Sequence, residues 1–219
     1  MKNGQRKHPL LLGVLYGTAI YGSIVLTMVY RVSDDTATAL IILFILFVFV
    51  LISQMRNISS AKKEEDVDYC LKTYFIYKYI TMPVGLICTG IVGAFIVAII
   101  GMLIQWLEEP LIIVLVFFLV IFFIGIIPCV LMVFTVIELP CFTSIAFILD
   151  ITQKKYGMSS AERRIHFLLQ IIPVLDIIDG LYISIKYWNR GRRLVIVSAA
   201  FTFSEIASVL WIYLADMFK

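Results

Sequence analysis

Residues 159–193 read SSAERRIHFLLQIIPVLDIIDGLYISIKYWNRGRR, and this stretch decides how the chain meets a membrane. It is apolar enough to enter a bilayer, yet Asp176 and Asp179 lie near its centre and cations cluster at both ends. Its aliphatic and Phe side chains contribute about −4 to −8 kcal/mol to insertion, whereas the two aspartates cost about +5 to +7 kcal/mol. The sum is near zero. Lipid alone therefore does not decide whether the segment spans, and other helices must supply polar partners for the acids.

Local signals predict a helix in this stretch. Ser159 and Glu162 have the spacing of a capping box, in which Ser159 accepts from the backbone N–H of Glu162. Pro173 is expected to kink the helix and to free the carbonyl near Leu169. At 100° per residue, one broad side of the helix is polar, with Asp179 at its edge; its members are His166, Gln170, Asp176 and Ser184.

The composition predicts an integral membrane protein. Of the 219 residues, 62% are hydrophobic and only 15% are charged, whereas soluble domains are nearer one half and one quarter. No linker-like segment divides the chain, so we expect a single domain over residues 1–219. The net charge of +3 comes from cations grouped between apolar runs, which is typical of topology signals rather than of nucleic-acid binding. The four cysteines show no disulfide or zinc spacing.

The fold class predicted is all-α, a polytopic bundle of about six membrane helices, five or six of them spanning. Residues 1–9 resemble a signal-peptide n-region, but the long apolar run after them is interpreted as an uncleaved first helix. The polar segment 55–72 is interpreted as a solvated connector, and Tyr74, Tyr77 and Tyr79 as an interfacial belt. The helices are expected at about 10–30, 37–53, 74–105, 111–149 with kinks, 161–187 and 194–216.

The distribution of Lys and Arg leaves the depth of the fifth helix open. If it spans, five cations lie outside: Arg31, Lys186, Arg190, Arg192 and Arg193. If it dips in and returns, or lies along the inner interface, only Arg31 and Lys219 lie outside. A third arrangement, in which 111–149 forms two spans that break at Pro128, leaves six cations outside. The positive-inside rule prefers the second arrangement, although 23 largely apolar residues are long for a re-entrant element. All three predict a cytoplasmic N-terminus in a bacterial-type plasma membrane.

Four acids are expected at or near membrane depth, and an intramembrane carboxylate is by default a hypothesis of function. They are Glu138, Asp176, Asp179 and Glu205. The alternative is that Asp176 and Asp179 pair with Arg163, Arg192 or backbone groups and only fix helix packing. A weaker hypothesis assigns anionic-lipid or phosphate contacts to a set of arginines: Arg163, Arg164, Arg190, Arg192 and Arg193.

Asp176-x-x-Asp179-Gly180 resembles the opening of the motif of the CDP-alcohol phosphatidyltransferases, membrane enzymes that bind metal through paired aspartates. This chain departs from that motif at Ile183-Ser184, and no further acid follows until Glu205. Two carboxylates alone make a poor dinuclear metal site. We therefore predict no metal site and no cofactor from these residues.

Other catalytic motifs are absent from the sequence. It has only two histidines, no G-x-S-x-G and no Walker A motif, so no catalytic residue is assigned. His166 follows an arginine pair and is interpreted as a headgroup contact rather than as a general base.

Stripes of small residues predict close helix–helix contact, within the chain, in a homo-oligomer or with another membrane subunit. They are Gly13/Gly17, Gly85/Thr89/Gly93/Gly101 and Ala200/Ser204/Ser208. The leading hypothesis is a non-enzymatic transport component or an accessory subunit of a membrane complex. The rival is a membrane enzyme that acts on a lipid or isoprenoid phosphate through Asp176 and Asp179.

Overall fold

The computed structural model describes residues 8–29, 34–106, 117, 119, 121–172 and 174–189. The described chain is helical and contains no strand, which confirms the all-α prediction. Its helices are α1 (Pro9–Val29), α2 (Asp34–Lys63), α3 (Val67–Trp106), α4 (Ile127–Tyr156), α5 (Ser160–Leu169) and α6 (Leu175–Lys186). A π-helical turn, Phe122–Ile126, leads directly into α4. The described residues fall into two compact units, one within 1–148 and the other within 149–219.

Four helical segments in the described chain are long and apolar enough to cross a membrane: Pro9–Val29, Asp34–Lys63, Val67–Gly101 and Phe122–Tyr156. Their most apolar windows are poorly covered by other parts of the protein, with only 6% of the window buried in the second and 12% in the third and fourth. Exposed Ile, Leu, Val and Phe side chains therefore dominate these surfaces. A contiguous apolar surface of this kind is typical of lipid or protein contact.

The predicted connector at residues 55–72 is helical almost throughout. α2 continues to Lys63, and α3 begins at Val67 after a turn of three acidic residues. Asp66 accepts a hydrogen bond from the backbone N–H of Tyr69 at 3.0 Å, so its carboxylate caps α3. The polar composition does not indicate a loop here. α2 and α3 extend beyond their apolar segments, and these extensions consist largely of polar residues.

The predicted interfacial belt is wrong for two of its three tyrosines. Tyr74 and Tyr77 are fully buried within the first unit, whereas Tyr79 is half-buried. α3 begins at Val67, so Tyr74 and Tyr77 lie inside the helix and not at its start. Tyr77, for example, packs against Tyr16 of α1.

Tyr16 lies at the contact of α1 with the other helices of the first unit. Its ring centroid is 4.9 Å from that of Phe47 on α2 and 5.0 Å from that of Tyr77 on α3. Its hydroxyl donates to the carbonyl of Ile137 on α4 at 2.8 Å. Burial of so large a ring and satisfaction of its hydroxyl fix the register of all four helices at one level.

The close-contact stripe predicted on α1 is confirmed. A Cβ at Gly13 would lie 2.5 Å from Cγ2 of Ile76, and one at Gly17 would lie 3.3 Å from Cγ2 of Ile80. On α3, by contrast, Gly93 and Gly101 have no described atom within 4 Å of such a Cβ. The third stripe, at 200–208, lies outside the described residues.

Replacing Gly13 with Ala is expected to lower the free energy of unfolding by about 1–3 kcal/mol, because the new methyl group overlaps Ile76 and forces α1 away from α3. Gly90→Ala is the matched control. It adds the same methyl group to a helix interior where no described atom lies within 4 Å, and should be neutral or stabilising by up to about 1 kcal/mol. Denaturation of both variants in mixed micelles measures the difference. Equal stabilities would contradict the close contact.

The predicted helix 161–187 is two helices in the structure, which corrects its extent. α5 has 10 residues and α6 has 12, so they are about 15 and 18 Å long, well short of a hydrocarbon core of about 30 Å. The predicted capping box at the start is confirmed, since Ser159 accepts from the N–H of Glu162 at 3.1 Å. The helix ends at Leu169, whose carbonyl accepts instead from the N–H of Ile172 at 3.3 Å.

Candidate functional site

A buried ion pair joins α3 to α4 in the first unit. Nζ of Lys78 lies 2.8 Å from Oε2 of Glu138, and the two side chains are 2% and 1% exposed. The hydroxyl of Thr81 donates to the other carboxylate oxygen, Oε1, at 2.6 Å. Both oxygens of this acid are therefore bonded to donors of the same chain.

Glu138 was a predicted candidate, but Lys78 was not. Lys78 precedes the apolar part of the predicted third helix, and its charge alone gives no sign of a buried partner. A usable signal was present in the four-residue spacing of Tyr69, Thr73, Tyr77 and Thr81, which marks one helix face. All four are buried, and Lys78 is the residue directly after Tyr77, a member of this face.

The second unit holds a buried cluster in which α5 meets α6. Nδ1 of His166 lies 2.5 Å from Oδ1 of Asp179, and the Gln170 amide donates to Oδ2 at 2.7 Å. The exposed fractions of His166, Gln170 and Asp179 are 6%, 1% and 5%. Glu162, near the start of α5, bonds to Tyr187 at the end of α6. His166, near the end of α5, bonds to Asp179, which lies nearer the start of α6. The two helices therefore run antiparallel. The predicted polar side is therefore the inner face of a helical hairpin.

Burial raises the pKa of Asp179, while the hydrogen bonds from His166 and Gln170 oppose that rise. The structure also corrects the interpretation of His166, which is not a headgroup contact but a buried partner of this acid. Its ring stacks on Tyr182 with centroids 5.7 Å apart.

Asp176 is also buried, at 1% exposure, and one of its oxygens accepts from the backbone N–H of Ile177 at 2.6 Å. It lies in the first turn of α6, where a negative charge offsets the unpaired N–H groups of the helix start. Asp176 thus bonds to a backbone group, as the packing alternative predicts, and Asp179 bonds to His166 and Gln170.

The open end of the hairpin is held by Glu162. Its carboxylate accepts from the hydroxyl of Tyr187 at 2.8 Å and from Nζ of Lys186 at 3.4 Å. These hydrogen bonds lower the pKa of Glu162, and the bond from Tyr187 has the largest effect. Nε2 of His166 is 3.8 Å from the same carboxylate, so the imidazole lies between two acids.

A groove of about 660 Å³ lies between α5 and α6. Glu162, His166 and Asp179 line it together with a larger apolar set: Ala161, Ile165, Leu169, Leu175, Ile178 and Tyr182. The polar groups in it are already bonded to one another. In the described residues no group of three or more His, Cys, Asp or Glu side chains is placed to hold a metal ion.

The predicted arginine contacts divide into three groups. Arg163 is bonded within the protein, to Asp150 and to Oε1 of Gln153, the latter at 3.1 Å. Arg164 is exposed and available for a headgroup. Glu205 of the acidic cluster lies outside the described residues, as do the remaining arginines of the set: Arg190, Arg192 and Arg193.

Comparison of the chain with protein-family models, with curated proteins and with solved structures finds no match.

Proposed function

We propose that this chain is a multi-pass membrane protein that serves as an accessory subunit of a membrane complex. One observation carries the proposal: Glu138 and Asp179 each have both carboxylate oxygens bonded to donors of their own chain. A buried acid in that state stabilises helix packing. To take up a transported proton or cation instead, it would have to give up these hydrogen bonds. The poorly covered apolar helices supply the surface for lipid and for partner helices.

A transport component is the closest alternative, since a buried carboxylate within a membrane helix is also the usual element of proton coupling. A membrane enzyme acting on a lipid or isoprenoid phosphate would need Asp176 and Asp179 together. Their separate bonding to Ile177 N–H and to His166 favours the accessory role over that chemistry.

The mass and activity of the purified protein separate these functions. In mild detergent and again in nanodiscs, light scattering should give a protein mass well above the 25.0 kDa of one chain, with a second polypeptide at fixed stoichiometry. A single-chain mass in both media, together with proton flux in liposomes that Glu138→Gln abolishes, would instead establish a transporter. Glu64→Gln is the matched control for charge, because Glu64 is exposed.

We further propose a bacterial-type plasma membrane with the N-terminus in the cytoplasm and the α5–α6 hairpin on the cytoplasmic side. The short lengths of α5 and α6 support the arrangement in which only Arg31 and Lys219 lie outside.

A reporter fused after Trp188 is therefore expected to give the same cytoplasmic signal as one fused after Gly157, because the intervening hairpin enters and leaves on one side. Paired cytoplasmic and periplasmic reporters at both positions measure this. Opposite signals from the two fusion points would show that residues 160–187 span.

A further inference from the structure

A groove of about 500 Å³ runs along the last turns of α2. One part of its lining is polar, with Arg56, Ser59, Ser60 and Lys63, and the rest is apolar, with Leu51, Ile52, Met55 and Leu139. The polar members are spaced by three, one and three residues, so they lie on one face of the helix. Both buried clusters described above lie elsewhere.

The two cations of this groove are available to a ligand. Arg56 and Lys63 are exposed, and neither forms an ion pair or a hydrogen bond within the described part of the chain. Ser60, which lies between the two cations in the sequence, donates to Oε1 of Glu64 at 3.3 Å. Seven residues separate the two cations, which places them about 10 Å apart along the helix with two hydroxyl groups between.

The lining of the groove matches a molecule that is anionic at one end and apolar at the other. Its apolar members continue the exposed apolar surface of α2, which includes Ile45, Phe49 and Ile52. A free phosphate would leave that half of the groove unused. The helix dipole does not help an anion here, since the C-terminal end of a helix is negative. Attraction must come from the two side chains.

We propose that this groove binds one anionic glycerophospholipid, with the phosphate between Arg56 and Lys63 and an acyl chain along Ile52, Met55 and Leu139. Clustered cations next to a membrane helix attract anionic lipid headgroups. Here the hydroxyl groups of Ser59 and Ser60 add donors for the phosphate oxygens. The inference does not depend on the accessory role proposed above.

Binding can be measured with phosphatidylglycerol as the probe, by native mass spectrometry of the full chain and by its thermal unfolding in neutral detergent. Wild type should retain one phosphatidylglycerol in preference to phosphatidylcholine, and the lipid should raise the unfolding temperature. Arg56→Gln/Lys63→Gln should weaken retention by at least tenfold, since each charge contributes about fivefold. Ser59→Glu, which places a carboxylate in the groove, should do the same.

Lys62→Gln/Lys72→Gln removes the same charge from exposed positions outside the groove and is the matched control. It should bind like wild type, and all variants should unfold at the same temperature without lipid. Three results would overturn the proposal: equal loss in the control, full retention in the groove variant, or equal stabilisation by inorganic phosphate alone.

Discussion

Replacing Lys78 with Met is expected to lower the free energy of unfolding by about 3–5 kcal/mol, because Glu138 would keep a buried charge without its cation. Water cannot replace that cation where the lysine and glutamate are 2% and 1% exposed. Lys72→Met is the control, since Lys72 lies on the same helix but is exposed. It should change stability by less than about 0.5 kcal/mol.

The double variant Lys78→Met/Glu138→Met distinguishes a lost pair from lost packing. It removes both charges, so it should recover most of the loss and lie within about 1 kcal/mol of wild type. Thr81 keeps an acceptor in that variant, because its hydroxyl also lies 3.4 Å from the carbonyl of Lys78. A double variant as unstable as the sum of its single changes would show that the charges do not interact.

Asp179→Ala is expected to lower the free energy of unfolding by about 2–4 kcal/mol, because the hydrogen bonds from His166 and Gln170 to its carboxylate would be lost in a buried site. Ile178→Ala is the neighbouring control. Its side chain is 57% exposed, so its removal should cost much less. Equilibrium unfolding of the three proteins in mixed micelles measures both effects, and equal losses would contradict the role of Asp179 in the hairpin.

The same acid predicts a dependence on pH. Burial raises the pKa of Asp179 above its value in the unfolded chain, so the folded protein binds this proton more tightly than the unfolded protein does. The contribution of protonated Asp179 to the free energy of unfolding is therefore complete at low pH and is lost as the pH rises through the folded-state pKa. Compared with Asp179→Asn, the wild-type protein should therefore have a free energy of unfolding that falls as the pH rises through this range. A constant difference between the two proteins across the range would contradict the raised pKa.

Periodicity and composition were enough to predict the helical fold and the start of the hairpin. The capping box at Ser159 depends only on residues three apart, and the close contact at Gly13 depends only on the absence of a side chain. Both signals are local, which is why the prediction agrees with the structure.

The tertiary partners were less predictable. Placing His166 beside Asp179 requires the chain to reverse after Leu169, whereas a kinked continuous helix satisfies the same sequence pattern. Lys78 is not predictable in this way, because a cation next to an apolar segment usually lies in water, whereas here Glu138 on another helix pairs with it in a buried site. Such contacts join residues 60 apart in the sequence, beyond the reach of any local pattern.

α3 has 40 residues, so it is about 60 Å long, twice the thickness of a hydrocarbon core of about 30 Å. In the membrane protein proposed above, about half of this helix would extend beyond the lipid tails. Its first turns are packed against α2, where Gln54 donates to Tyr69 and Thr73, so the two helices are held together beyond their apolar segments.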